Sequence, residues 1–333
     1  METPLADSTV LVTGGAGFIG SHLVDALAPD NEVRVLDNFS NGTREHVHED
    51  ATVIDGDLRN PIDIQRAARD VDVIFHQGAV VSVSESVDAP RTTNEINLEA
   101  TLDVFEQARL EDARVVVASS AAVYGHPVEV PITETARLEP TSPYGVQKLA
   151  LDHYARLYND LYGLETVALR YFNVYGPRQQ GPYSGVISTF LEQARADEPF
   201  TIEGDGDQTR DFVHVEDVVR ANLQAATTDA VGEAYNVGTG TRISISELAT
   251  LIREVTDASS RIVHREPREG DIRHSVAGVS RARDRLGFEP LIDLETGLRG
   301  LVPSSDRTTA VAGADDDSGG QTGDTPGPIG TGE

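Results

Sequence analysis

The chain has no cysteine and no tryptophan, and its only lysine, Lys148, stands among 26 arginines. Without cysteine there is no disulfide framework, no thiol nucleophile and no thiolate metal site. His126, His153, His214 and His264 are not spaced as metal ligands, so each reads as structural and no metal centre is expected. Basic residues are scarce: 27 Lys and Arg face 55 Asp and Glu, a formal charge of -28 over 333 residues. Such a field repels nucleic acid and anionic membrane surfaces, which excludes a general affinity for either. The acids are spread along the whole chain, which reads as a halophilic adaptation to a salt-rich cytoplasm where screening keeps repulsion tolerable. A genome that favours arginine codons would explain the missing lysines equally well. Long apolar runs are absent too, and nothing approaches the ~18 residues that a membrane span needs. The opening METPLADS has neither a basic n-region nor an apolar h-region, so a cytoplasmic protein without a signal peptide is expected.

What is present begins with an alternation. Thr9–Thr13, Glu32–Leu36, Ala51–Ile54, Val71–Phe75, Arg114–Ala118 and Thr166–Leu169 are short, β-branched and bounded by turn residues. Between them lie stretches with helical spacing, such as Ile19–Ala28 and Asn94–Arg109. That order predicts an α/β fold, a Rossmann-type doubly wound parallel sheet. Beyond Asn173 the pattern breaks into Gly/Pro-rich loops with a few helices, Ile187–Arg195 and Ile245–Val255 among them, which suggests a smaller mixed α/β lobe. From Pro303 the chain is acidic and rich in Gly, Asp and Thr with almost no large apolar residues, a composition expected to be disordered.

TVLVTGGAGFIGSHLVDAL sets Gly14, Gly17 and Gly20 between a strand and a helix. Glycines there let the backbone turn tightly and approach a pyrophosphate at the helix N-terminus. Gly15, Gly17 and Gly20 fit the same spacing, so the pattern alone does not choose the register. Asp37 follows at the end of the second strand, where a carboxylate accepts from an adenosine ribose 2′-OH and repels a 2′-phosphate. No arginine follows it in LDNFSNG, which favours NAD over NADP.

SPYGVQK places Tyr144 and Lys148 one turn apart on a helix that Pro143 can start. Taken alone, such a pair is ordinary surface chemistry. Behind a dinucleotide loop, and with the only lysine, it reads as a general base and its charge partner. A tyrosine pKa of about 10 must fall to about 7, which needs roughly 4 kcal/mol of differential stabilisation of the phenolate. An ammonium together with a positive nicotinamide has the right sign. Ser119 and Ser120 close the strand before it, at an edge where open α/β sheets bind ligands.

With TGGAGFIG, LDNFSNG, GDL, NLEAT, SSAAVYG, SPYGVQK, LRYFNVYGPR, RDFVHVEDV, YNVGTG and REGDIRHS in order, the chain from about Ser8 to Pro303 resembles the extended short-chain dehydrogenase/reductases. Within them it is most similar to the NAD-dependent nucleotide-sugar epimerases, the UDP-glucose 4-epimerase branch. The resemblance implies Ser120, Tyr144 and Lys148 as the catalytic set. It implies Phe18 and Ile19 beneath the pyrophosphate, Asp37 and Asn38 at the adenosine ribose, Asp57 and Leu58 at the adenine, and Asn97 and Phe172 near the nicotinamide. For the nucleotide sugar it implies Asn173, Val186, Arg210, Arg268 and Asp271, the two arginines as diphosphate clamps. The implied reaction is C4 epimerisation of a UDP-sugar: Tyr144 takes the 4-OH proton, hydride passes to NAD, and the 4-keto sugar turns over before hydride returns. The implied assembly is a homodimer built on helices near Asn94–Arg109 and Tyr144–Tyr162. The implied division is an NAD domain of residues 1–172 with about 213–235, and a sugar-nucleotide lobe of 173–212 and 236–302.

Two departures inform the chemistry. Dehydratase and decarboxylase relatives carry an acid just after the catalytic hydroxyl, where this chain has Ala121 and Ala122, and a methyl group cannot move a proton. Ser275 stands where some epimerases place a tyrosine, which leaves room for a 2-acetamido group; the plainer alternative is a reshaped hexose pocket. HQGA, with Gln77 and Gly78, also departs from the small residues usual after that histidine. The other expectations held open are a UDP-glucuronate or dTDP-sugar epimerase, a 4,6-dehydratase, a decarboxylase, and a non-catalytic NAD sensor, which would not need an intact Ser120–Tyr144–Lys148 set.

Overall fold

The computed structural model describes residues 5–179, 185–267 and 270–302. Arg268 and the segment from Pro303 lie outside the described residues. The first half runs β1 (Thr9–Thr13), α1 (Phe18–Leu27), β2 (Glu32–Asp37), β3 (Thr52–Asp55), α2 (Pro61–Ala68), β4 (Val73–His76), α3 (Val83–Asp88) and α4 (Pro90–Asn94). A π-helical turn, Glu95–Glu99, joins α4 to α5 (Ala100–Glu111), so the helix expected over Asn94–Arg109 is interrupted. β5 (Arg114–Ser120), α6 (Pro143–Tyr162) and β6 (Thr166–Tyr171) follow. Next come β7 (Asn173–Tyr175), α7 (Val186–Arg195), β8 (Phe200–Glu203), β9 (Thr209–Arg210), β10 (Phe212–His214), α8 (Val215–Thr227) and β11 (Glu233–Val237). The remainder is β12 (Ile243–Ser244), α9 (Ile245–Thr256), β13 (Ile262–Arg265), α10 (Ser280–Leu286) and α11 (Leu294–Gly300).

Seven parallel strands form one sheet in the order β11-β6-β5-β4-β1-β2-β3. Its strands read as nearly continuous apolar runs because helices cover both faces. Val10, Val12, Val35 and Phe75 meet Leu23, Val24 and Leu27 of α1 and the apolar side of α8 on one face. Leu11, Leu36, Ile74, Val115 and Val117 meet Ile64, Phe105 and Leu151 on the other. The first of these clusters also takes Ala282, Leu286 and Phe288 from far along the chain. A separate apolar cluster of Phe190, Phe200, Ile202, Phe212, Leu248 and Ile252 packs α7 and α9 on the short strands. Sequence order reverses between β1 and β4, and the carboxyl ends of strands at such a switch point are where open α/β sheets bind ligands.

Candidate active site

The turn after β1 depends on missing side chains. Gly14 has φ +67°, and a Cβ there would come within 2.7 Å of Gly78. A Cβ on Gly20 would overlap the Gly14 carbonyl oxygen. Gly20 belongs to both candidate registers, and it is the positive φ and the backbone approach at Gly14, against a contact chiefly with the Val35 side chain at Gly15, that choose the Gly14–Gly17–Gly20 register. Gly17 then starts α1 with no capping side chain and no acid in the first turn, so its first N–H groups and positive dipole end are available to an anion. Gly14, Gly17, Phe18, Ile19 and Gly20 form one wall of a cleft of about 540 Å³ at the switch point.

Asp37 sits at the end of β2 on that cleft and accepts from the backbone N–H of Ala16 (3.0 Å) and of Phe39 (2.8 Å). One oxygen serves each bond, leaving lone pairs for ribose hydroxyls. Asn38 donates to Asp57 (3.1 Å), and Asp57 and Leu58 line the same end of the cleft. Arg59 forks onto Asp57 at 2.9 and 2.6 Å, which holds that carboxyl well below the usual carboxylate range. Arg44 lies over the Phe39 ring and pairs with Asp55 at 3.0 Å. Both nearby guanidinium groups are thus committed to carboxylates, an arrangement suited to the uncharged 2′-OH of NAD. The uncapped helix, the acid at β2 and the apolar walls from Leu58, Val80 and Ile96 fit NAD along this cleft.

Asn97 stands apart from the other expected cofactor contacts. It is buried behind the wall, its amide gripping Val80 through N–H (2.8 Å) and C=O (2.9 Å) and reaching Gln147 at 2.9 Å. The π-helical turn presents its side chain to that strip of backbone, so Val80 and Ile96 face the cleft in its place. Below lies a hydrogen-bonded run. Thr101 donates to the Asn97 carbonyl, so His76 Nε2–H must donate to Thr101 (2.9 Å) while Nδ1 accepts from Thr13 (2.7 Å). Burial, with the Lys148 charge beyond it, pushes His76 down to about 3 and keeps this tautomer neutral.

Ser120, Tyr144, Lys148 and Phe172 meet at the far end of the cleft. Ser142 caps α6 from its side chain to the Gly145 N–H at 3.1 Å, and Pro143 fills the first position of the helix. Tyr144 is 9% exposed, with Ser120 close enough to its hydroxyl to ease the cost of ionising it. Lys148 is 4% exposed; its Nζ donates to the Ala118 carbonyl at 2.7 Å and lies 5.9 Å from the Tyr144 ring centre. Burial pulls Lys148 down to about 8 and pushes Tyr144 up, with Ser120 only partly opposing that rise. The chain's own groups therefore keep Tyr144 protonated, and a positive ring over it would have the sign needed to free the proton.

A family model for the NAD dependent epimerase/dehydratase family matches residues 10–238. The chain belongs to this family. A putative UDP-glucose 4-epimerase of Methanocaldococcus jannaschii is 40% identical over 88% of this chain and 97% of its own length. The structure of a UDP-N-acetylglucosamine 4-epimerase from Methanobrevibacter ruminantium, bound to UDP-N-acetylmuramic acid, is 39% identical with a TM-score of 0.86, covering 89% of this chain and 97% of the other. A Thermotoga maritima UDP-glucose 4-epimerase with UDP-glucose is 37% identical at TM-score 0.85, covering 88% and 96%.

In this epimerase/dehydratase chain, Asn173, Arg210, Asp271 and Ser275 of the expected sugar-nucleotide residues are tied to one another through the short strands β7, β9 and β10. Arg210 of β9 donates to Asp271 at 2.5 Å, and burial lowers its pKa against the pull of that carboxylate. The Ser275 N–H bonds the Thr209 carbonyl (3.1 Å), which puts Ser275 next to Arg210. Asn173 opens β7 and donates from its side chain to the Asp211 carbonyl at 3.1 Å, while Val186 starts α7. Sequence reasoning missed Arg178, which lines the cleft and pairs with Asp25 of α1 at 2.7 Å. It also missed Gln77, which lines the cleft and donates to Tyr171 (3.2 Å) and Asn222 (3.1 Å). The departure at HQGA was the signal for Gln77; Arg178 is the arginine of the quoted YGPR, passed over because its partner lies on another element.

Proposed function

We propose that the protein epimerises C4 of a UDP-sugar, UDP-glucose and UDP-galactose first, through a transient 4-keto sugar. One observation carries this reading. A buried Tyr144 beside Ser120 and backed by Lys148 lies at the end of a cleft that fits NAD, and the two residues after Ser120 are Ala121 and Ala122. Bound NAD would supply the hydride acceptor and donor, returning to its starting state each cycle. Ser120 holds the 4-oxygen while Tyr144 removes its proton and later gives it back. Lys148, anchored on Ala118, supplies positive charge next to the phenol and a donor within reach of a ribose. Arg210 and Arg268 clamp the diphosphate, with Asn173, Val186, Asp271 and Ser275 around the sugar and uridine. The small Ser275 side chain leaves space at the sugar, so UDP-N-acetylhexosamines are substrates as well.

The working form is a cytoplasmic homodimer. Leu110, Val146, Leu157, Leu161 and Tyr162 on α5 and α6 are exposed large apolar side chains, which a second copy would cover. Among the described residues no helix is long and apolar enough to cross a membrane. Incubation of the purified protein with UDP- and dTDP-sugars, with products read by NMR, tests the reading. C4-inverted UDP-sugars are expected; loss of the C6 hydroxyl as water, release of carbon dioxide, or no turnover, would refute it.

A further inference from the structure

The face of α6 that carries Tyr144 and Lys148 continues one turn further to Asp152. These three side chains meet three consecutive residues of β5: Lys148 donates to the Ala118 carbonyl (2.7 Å), Asp152 accepts from the Ser119 hydroxyl (3.2 Å), and the Tyr144 hydroxyl lies beside Ser120. Asp152 is fully buried and Arg170, 1% exposed, forks onto it at 2.8 and 3.0 Å. Ser119 and Arg170 are register partners on β5 and β6, so both point to the same side of the sheet, towards α6. Arg156 adds a fourth donor to the carboxylate at 3.0 Å. Burial opposes the Arg170 charge, but the bonds and charge of Asp152 outweigh it and hold the guanidinium protonated. A buried ion pair is weak evidence of stability, because desolvation offsets most of its attraction. Its geometric effect is clearer: a planar fork tolerates little sliding of helix against strand.

We propose that the Asp152–Arg170 pair is a positioning device, setting where α6 sits along the end of β5 and thereby holding Tyr144 on Ser120 and Lys148 on Ala118. It acts through those residues and touches no reacting atom. The inference rests on the proposed epimerase chemistry for its kinetic readout.

The test is the double variant Asp152→Leu/Arg170→Met in the NAD-loaded enzyme, since apolar groups of similar size commonly replace buried pairs without loss of fold. Four quantities are measured: kcat on UDP-galactose, the Kd of UDP by calorimetry, NAD content, and phenolate formation at Tyr144 by ultraviolet difference against Tyr144→Phe in the same background. A slip of the helix predicts kcat lower by roughly ten- to a hundredfold with UDP affinity and NAD content within about twofold. Phenolate formation should move to higher pH. Wild-type kcat together with an unmoved phenolate titration overturns the proposal. Should the double variant not fold, Arg170→Lys, which keeps the charge and loses the fork, must show the same split, and wild-type behaviour there overturns it equally. If the unmodified enzyme turns over no nucleotide sugar, the functional reading fails while the phenolate titration still decides this one.

Discussion

Replacing Lys148 by methionine isolates the energetic cost of its buried ammonium. Burial takes that lysine from 10.5 to about 8, which corresponds to roughly 3 kcal/mol of disfavoured charging. The folded pKa lies below the unfolded one, so between pH 8 and 10.5 the unfolded chain binds more protons and stability rises with pH. Below pH 8 the full penalty is present; above 10.5 it is gone. Lys148→Met keeps the unbranched stem, one atom shorter, and carries no charge, so it lacks the penalty, losing chiefly the 2.7 Å bond to Ala118, worth about 1–3 kcal/mol. The assay is urea unfolding of NAD-free wild type and variant at constant molar salt, from pH 7 to 10.5. Subtracting the two curves cancels the other titrating groups. The variant's advantage should shrink by roughly 3 kcal/mol across that window. A difference independent of pH would refute the burial argument. Activity moves the other way: the more stable variant should turn over at least about a hundredfold more slowly, because the phenolate has lost its neighbouring charge.

Tyr144→Phe should keep NAD bound and lower epimerisation by about 10²–10⁴-fold, read by product NMR and by cofactor absorbance after gel filtration. Asp37→Ala should weaken NAD binding and narrow its preference over NADP, measured by calorimetry with both; unchanged discrimination would remove Asp37 from the ribose site. Ser275→Tyr should depress turnover of UDP-N-acetylhexosamines more than that of UDP-hexoses, and undiminished N-acetylhexosamine turnover would count against the pocket argument. Thermal unfolding should shift to higher temperature between low and molar salt as screening relieves the charge of -28, whereas equal midpoints would leave codon bias as the explanation for the arginines.

Family relationship and most of the sheet were legible because their determinants are local. β1 occupies the run Thr9–Thr13 read from sequence, and β2 to β6 lie within a few residues of theirs, because runs buried on both faces are continuous and apolar; β11 at the sheet edge was not among the runs read. Tyr144 and Lys148 share a helix face by spacing alone. Elements joined by loops were harder: the break at Glu95–Glu99 is set by how Asn97 meets Val80, 17 positions away, and no helical periodicity carries that information.

By itself the sequence determined the alternating strands and helices, the glycine turn, the acid at the end of β2 and the i, i+4 pair of Tyr144 and Lys148, all of them consequences of short-range backbone and side-chain geometry. Only the tertiary structure decided the glycine register, through the approach of Gly78 to Gly14. It alone decided that Lys148 donates to Ala118, that Arg210 pairs with Asp271, and that the charge on Arg170 is matched by Asp152. Each of these joins residues 18 to 64 positions apart, and strand order and helix docking, not sequence neighbours, bring such groups within hydrogen-bond reach.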